Sequence, residues 1–165
     1  MKHTFYKIIK PDSIDQFPSQ GKNAKIFLAG SIEMGVAEDW QLKIERELEE
    51  LPVTVYNPRR ESWDSSWIQR ESNDQFRKQV NWEMDKLERA DIIFFNFVGD
   101  TKSPISLLEL GMHADDNIIV CCPDEFWRKG NVEIVCSRFG IPLFENIDQA
   151  IASLKSKIHK FTYVI

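Results

Sequence analysis

Residues 91–97, DIIFFNF, form a nearly continuous apolar run of strand length with a polar helix pattern on one side and a polar loop on the other. A run of this kind has no face to spare for water. It reads as a strand buried on both sides, which is the mark of a parallel sheet with helices packed on each face. That one segment points away from sandwiches, antiparallel barrels and helical bundles.

The rest of the chain fits this frame. Residues 25–29 (KIFLA) are a second apolar run, closed by Gly30-Ser31, and residues 37–51 follow with Trp40, Ile44, Leu48 and Leu51 at helical spacing. Residues 53–56 predict another strand, and residues 57–73 are too polar and too rich in turn formers to be regular throughout. Val80, Met84 and Leu87 restore a helical period over 76–89. Beyond the 91–97 strand, the pattern predicts a helix at 105–114, a strand at 117–122, a helix at 125–139, a strand at 141–144 and a helix at 147–158, with a final possible strand at 161–165. The first 24 residues are polar, contain Pro11 and Pro18, and read as an irregular lead-in to a single domain over 25–165. The expected architecture is α/β: a doubly wound, flavodoxin-like, five-stranded parallel sheet with helices on both faces.

Composition narrows the function. At 165 residues, with 42% hydrophobic and 28% charged, the chain is one domain with a real core. A net charge of −5 argues against a nucleic-acid polymer as partner, since binders of the phosphate backbone concentrate Lys and Arg. No membrane-length apolar run and no signal-peptide pattern is present, so the expected location is cytoplasmic, with no membrane partner. Cys121, Cys122 and Cys136 are read as buried free thiols. The segment from Gly30 to Gly35 (GSIEMG) is neither a dinucleotide fingerprint nor a P-loop, and His3, His113 and His159 are scattered, so no cofactor and no metal is expected. Carboxylate chemistry remains, and Glu109 stands out as an acid in an otherwise apolar helix start just beyond a core strand. Near that start, backbone N–H groups and the helix dipole are expected to keep it ionised.

Four segments in order, IFLAGSI (26–32), NPRR (57–60) with Trp63 behind it, QVNWEMDKLERADIIFF (79–95) and SPISLLELG (103–111), resemble the nucleoside 2-deoxyribosyltransferase family, most closely its broader deoxyribosyltransferase-like branch. The resemblance implies that Glu109, in the ELG motif, is the nucleophile that forms a glycosyl intermediate with a 2′-deoxynucleoside, as in retaining glycosidases. It places a second acid about eight positions before Asp91, which is Glu83. It further implies a substrate wall from Gly30, Ser31 and Ile32, base contacts from Asn57, Arg59 and Arg60, and a polar contact from Ser103. Trp63 and Trp67 share one polar loop and either cover bound substrate or cover the sheet or a neighbouring subunit. Trp82 either stacks on a base or caps the core, and Asp91 either belongs to the site or only turns the chain into its strand. Asn131, within Gly130-Asn131-Val132, corresponds to a segment that reaches a neighbouring subunit's site, so the resemblance also implies a homo-oligomer with sites near its interfaces.

Two departures from the family pattern carry consequences. Phe27 stands where relatives keep a tyrosine, so any hydroxyl that orients Glu109 comes from elsewhere. Glu33 stands where the related deoxynucleotide N-hydrolases have an arginine for the 5′-phosphate, which favours a nucleoside over a nucleotide. Three readings stay open at this point: a deoxyribosyl transferase or hydrolase of nucleosides, an N-hydrolase of nucleoside 5′-monophosphates, and a non-catalytic nucleotide-binding or sensing module.

Overall fold

The computed structural model describes residues 6–13, 23–33, 37–60 and 64–163. Its strands are β1 (Lys7–Ile9), β2 (Ala24–Gly30), β3 (Val53–Tyr56), β4 (Ile92–Asn96), β5 (Ile118–Cys121) and β6 (Leu143–Phe144). Its helices are α1 (Trp40–Leu48), α2 (Asp74–Arg89), α3 (Pro104–Met112), α4 (Lys129–Phe139) and α5 (Ile147–Tyr163). The strands form one sheet in the order β1-β3-β2-β4-β5-β6, with every neighbouring pair parallel. From β2 onward this is the flavodoxin-like order, so the doubly wound expectation holds.

Alternation along β4 explains the two layers. Ile93, Phe95 and Phe97 join a core with Leu87 of α2, Leu110 of α3 and Val132 and Cys136 of α4. Ile92 and Phe94 face the other way and pack with Trp40, Ile44 and Leu48 of α1 and with Ala150, Leu154 and Ile158 of α5. Successive side chains of a strand point to opposite faces, so an apolar run is what a sheet covered on both sides requires. Local signals set the helix ends: the Asp39 side chain accepts the Leu42 N–H at the start of α1, the Asn73 side chain accepts the Phe76 N–H at the start of α2, and Gly140 closes α4 at a φ of 66°.

The structure departs from the sequence reading at both ends. The sheet has six strands rather than five, because Lys7–Ile9 adds to the outer edge of β3, with Lys7 opposite Thr54 and Ile9 opposite Tyr56. Three residues are too few for a period of two to show in a polar lead-in. At the other end, residues 161–163 continue α5 instead of forming a strand. No turn former separates them from Ile158, and the Thr162 hydroxyl donates to the Ile158 carbonyl at 3.0 Å, so helix propagation overrides the strand preference of the aromatic and β-branched side chains. All three cysteines are buried and unbridged. Among the described residues, no helix is long and apolar enough to cross a membrane.

Chain order reverses between β2 and β4, and ligands of open α/β sheets bind in the crevice outside the carboxyl ends of the strands at such a point. Gly30 ends β2 there with a φ of 138°, and a Cβ on it would fall on the Asn96 carbonyl oxygen of β4. Only glycine lets the two strand ends close up and present Ser31 beyond them.

Candidate active site

Helix α2 runs back from the carboxyl edge of the sheet and carries Gln79 and Glu83 four residues apart, on one face. Helix α3 begins after Ser103, held in the left-handed region at a φ of 46°, with Pro104 as its first residue, so Glu109 lies in its second turn. The two acids meet electrostatically between these helices. Burial pushes Glu109 up to about 8, with the Glu83 charge adding to the rise. Burial also pushes Glu83 up to about 7, against the lowering pull of the Gln79 hydrogen bond and of the Arg60 charge. The dipole expectation is therefore overturned: Glu109 is raised, because one turn into the helix desolvation and a like charge outweigh a dipole effect that is confined to the first turn.

Glu83 is held by a chain of side chains. Gln79 is buried, and its Nε2 donates to Glu83 Oε1 at 2.6 Å and to the Pro58 carbonyl at 3.4 Å. Arg60 Nε donates to Gln79 Oε1, while Arg60 Nη1 pairs with Asp12 at 2.8 Å and its guanidinium lies 5.3 Å from the centre of the Trp67 ring. Arg60 thus reaches the site through Gln79. Glu109, in contrast, has no side-chain hydrogen bond among the described residues.

At the strand ends, Ser31, Thr101 and Ser103 bring three hydroxyls together at 2.6–2.8 Å. Ser31 Oγ also accepts the Val98 N–H at 2.9 Å, and Thr101 donates to the Val98 carbonyl at 2.8 Å. Ser31 and Ser103 are therefore satisfied internally. Glu33, itself at a φ of 45°, reaches across to accept the N–H groups of Lys102 and Ser103 at 3.0 and 2.8 Å.

The other residues drawn from the sequence fall into place unevenly. Gly30, Ser31, Ile32 and Ser103 gather at the carboxyl edge near the switch point. Asn57 is buried, donating to Glu45 at 2.7 Å and accepting the Arg59 N–H at 2.9 Å. Arg59 spends its guanidinium on the carbonyls of Ala37 and Glu38, at 2.7 and 3.2 Å, and so braces the entry to α1. Trp82 packs on the core, its ring 6.4 Å from that of Phe27. Asp91 lies at the amino end of β4, away from the site, where it accepts the Lys25 N–H at 2.8 Å. Asn131 lines a cleft of about 320 Å³ between α3 and α4, with Leu107 and Leu110 on the facing wall, whereas the charge that acts on Glu109 is that of Glu83 on α2. Trp63 lies outside the described residues.

Sequence reasoning missed three participants. Gln79 was marked only by standing one helical turn before Glu83, and Asp12 by nothing local, since its partner is 48 residues away. Thr101 gave no signal beyond its place in a polar loop.

The family model described as nucleoside 2-deoxyribosyltransferase like matches residues 23–126, a span that holds β2 through β5 and both acids. No curated protein matches the chain.

Proposed function

The chain belongs to the nucleoside 2-deoxyribosyltransferase-like family, and on that premise we propose that it cleaves or exchanges the N-glycosidic bond of a 2′-deoxynucleoside through a covalent intermediate on Glu109. The observation that carries this reading is the half-buried pair of carboxyl groups from α2 and α3, with Glu83 pushed up to about 7 and Glu109 to about 8. Two coupled acids near neutrality share one proton, which leaves one group to act as nucleophile and the other as acid.

In the first step the Glu109 carboxylate attacks C1′ of the sugar, the C1′–N bond breaks with its electron pair going to the base, and Glu83 gives that base its proton. In the second, water or a different free base attacks C1′, Glu109 leaves as a carboxylate, and Glu83 takes up the proton released. Two inversions give net retention. Ser31 and Ser103 shape the wall at the strand ends, and Arg60 acts on the pair through Gln79. The working form is a cytoplasmic homo-oligomer in which Asn131 of the α3–α4 cleft lies near an interface.

A nucleoside is the preferred substrate over its 5′-monophosphate. The Glu33 carboxylate occupies the turn leading into α3 through the Lys102 and Ser103 N–H groups, and a phosphate dianion brought there meets a like charge instead of a free pair of donors.

The test is liquid chromatography with mass detection on purified protein given a panel of 2′-deoxynucleosides and their 5′-monophosphates, with and without a second free base. A new nucleoside identifies a transferase, and free base alone identifies a hydrolase. Reaction of the monophosphates alone overturns the substrate preference, and binding without turnover points to a sensing module.

A further inference from the structure

We propose that Gln79 is a positioning residue for the acid pair: its amide nitrogen holds Glu83 through Oε1, confines any Glu83 proton to Oε2, and favours charge on Glu83 over charge on Glu109 in the free enzyme. This rests on the reading of Glu83 and Glu109 given above.

A guanidinium only donates hydrogen bonds, so the Gln79 atom that meets Arg60 Nε is the amide oxygen, and the opposite end of the amide is the donor. Nε2 then donates to Glu83 Oε1 at 2.6 Å and to the Pro58 carbonyl at 3.4 Å. Glu83 Oε1 is an acceptor in this arrangement, which leaves Oε2 as the only oxygen of Glu83 able to carry a proton. Gln79 is 2% exposed, so water does not easily replace it. Its partner is fixed in turn by Asp12, at 2.8 Å, and by the Trp67 ring.

Among the described residues, the charged groups around Glu83 are few. Arg60 comes from the segment after β3, with Asp12 paired behind it, and Glu109 faces it from α3. Lys86 on α2 lies over the Tyr56 and Trp82 rings, at 5.1 and 6.0 Å. When two carboxyls share one proton, the charge settles on the one with donors aimed at it. That is Glu83, since Glu109 has no side-chain hydrogen bond among the described residues. The proton therefore rests on Glu109 until substrate binds. It then passes to Glu83 as the Glu109 carboxylate bonds to C1′, and goes on from Glu83 Oε2 to the departing base, so one proton serves both groups.

The experiment uses Gln79→Met, which keeps the volume and removes the donor, and Gln79→Glu, which keeps the Arg60 contact but repels a charged Glu83. Carboxyl titration by carbon NMR on protein labelled at glutamate, and the pH profile of kcat/KM on whichever nucleoside the chromatographic panel identifies, are compared with wild type. Both variants are expected to move the Glu83 titration, and the acidic limb of the bell with it, upward by about half to one pH unit. Folded variants with an unmoved titration overturn the proposal, as does a loss of rate with no change in the pH profile. If Gln79→Met does not fold, Gln79→Glu decides. If the titration moves but no form of the protein turns over any substrate, the positioning role stands and the catalytic reading is what fails.

Discussion

The Glu33 carboxylate accepts the Ser103 backbone N–H at 2.8 Å, so a side chain from the loop after β2 closes the turn that opens the Glu109 helix. The same oxygen accepts the Lys102 N–H, and both Glu33 and Ser103 adopt positive φ to make the contact. Strain of this sort persists only where surrounding contacts hold it, and here it places a negative charge beside the strand ends.

Removing that charge should change substrate choice. Glu33→Ala is expected to raise the ratio of monophosphate to nucleoside cleavage by about tenfold, the equivalent of about 1.4 kcal/mol. It should also lower stability by about 1 kcal/mol, as for the loss of a cap. Steady-state rates on matched substrate pairs check the first expectation, and an unchanged ratio discards the role of Glu33 in selectivity.

Gly30 admits no side chain. Its φ of 138° disfavours any L residue, and a Cβ would fall on the Asn96 carbonyl oxygen. Gly30→Ala should therefore cost at least about 3 kcal/mol, from strain and displaced backbone together, and urea unfolding measures it. A loss under about 1 kcal/mol would mean that the β2 and β4 ends separate easily.

Ser31 is 1% exposed, and its hydroxyl is the acceptor for the Val98 N–H. Ser31→Ala leaves that N–H and two hydroxyl partners short of a bond, which should destabilise by about 1–3 kcal/mol. Ser31→Cys, which keeps a weak acceptor, should lose less. Equal stability of the alanine variant and wild type in denaturant titration counts against the cluster as a structural knot.

Much of this architecture was legible in the sequence because the signals are local. The 91–97 run and the spacing of Trp40, Ile44 and Leu48 each specify burial within a few residues, and β3 falls on the predicted 53–56. Glu109 stood out for the same reason, as one acid among apolar neighbours. What was not legible depends on pairing across the chain. Strand β1 exists because β3 offers an edge, Arg60 is engaged by Asp12 and Gln79, and Asn57 is engaged by Glu45. Asn57 and Arg59 look alike as polar residues after a strand whether they contact a ligand or brace a loop, and only the fold reveals that their groups are already spent.

Substitution at the two acids should separate their roles. Glu109→Gln is expected to lower kcat by about a thousandfold or more with the fold intact, since the nucleophile is lost. Glu83→Gln should cost about a hundredfold, and less with substrates whose base departs easily, because a better leaving group needs less help from an acid. Mass detection of a sugar adduct on wild-type protein, absent from Glu109→Gln, checks the covalent step. An adduct that persists in the variant moves the nucleophile elsewhere.

The raised acids also give stability an inverted pH dependence. A carboxyl whose folded value lies above its unfolded value of about 4.3 binds protons more tightly when folded. Between that value and the folded values of about 7 for Glu83 and about 8 for Glu109, the folded state holds more protons than the unfolded chain. Stability from this pair therefore falls as pH rises through 5 to 8, the reverse of an ordinary ion-paired carboxylate. Thermal midpoints measured across that window should decline for wild type, and the decline should be shallower in Glu109→Gln, which removes the more strongly raised of the two groups. An identical slope in the two proteins would mean that groups other than Glu109 set the dependence.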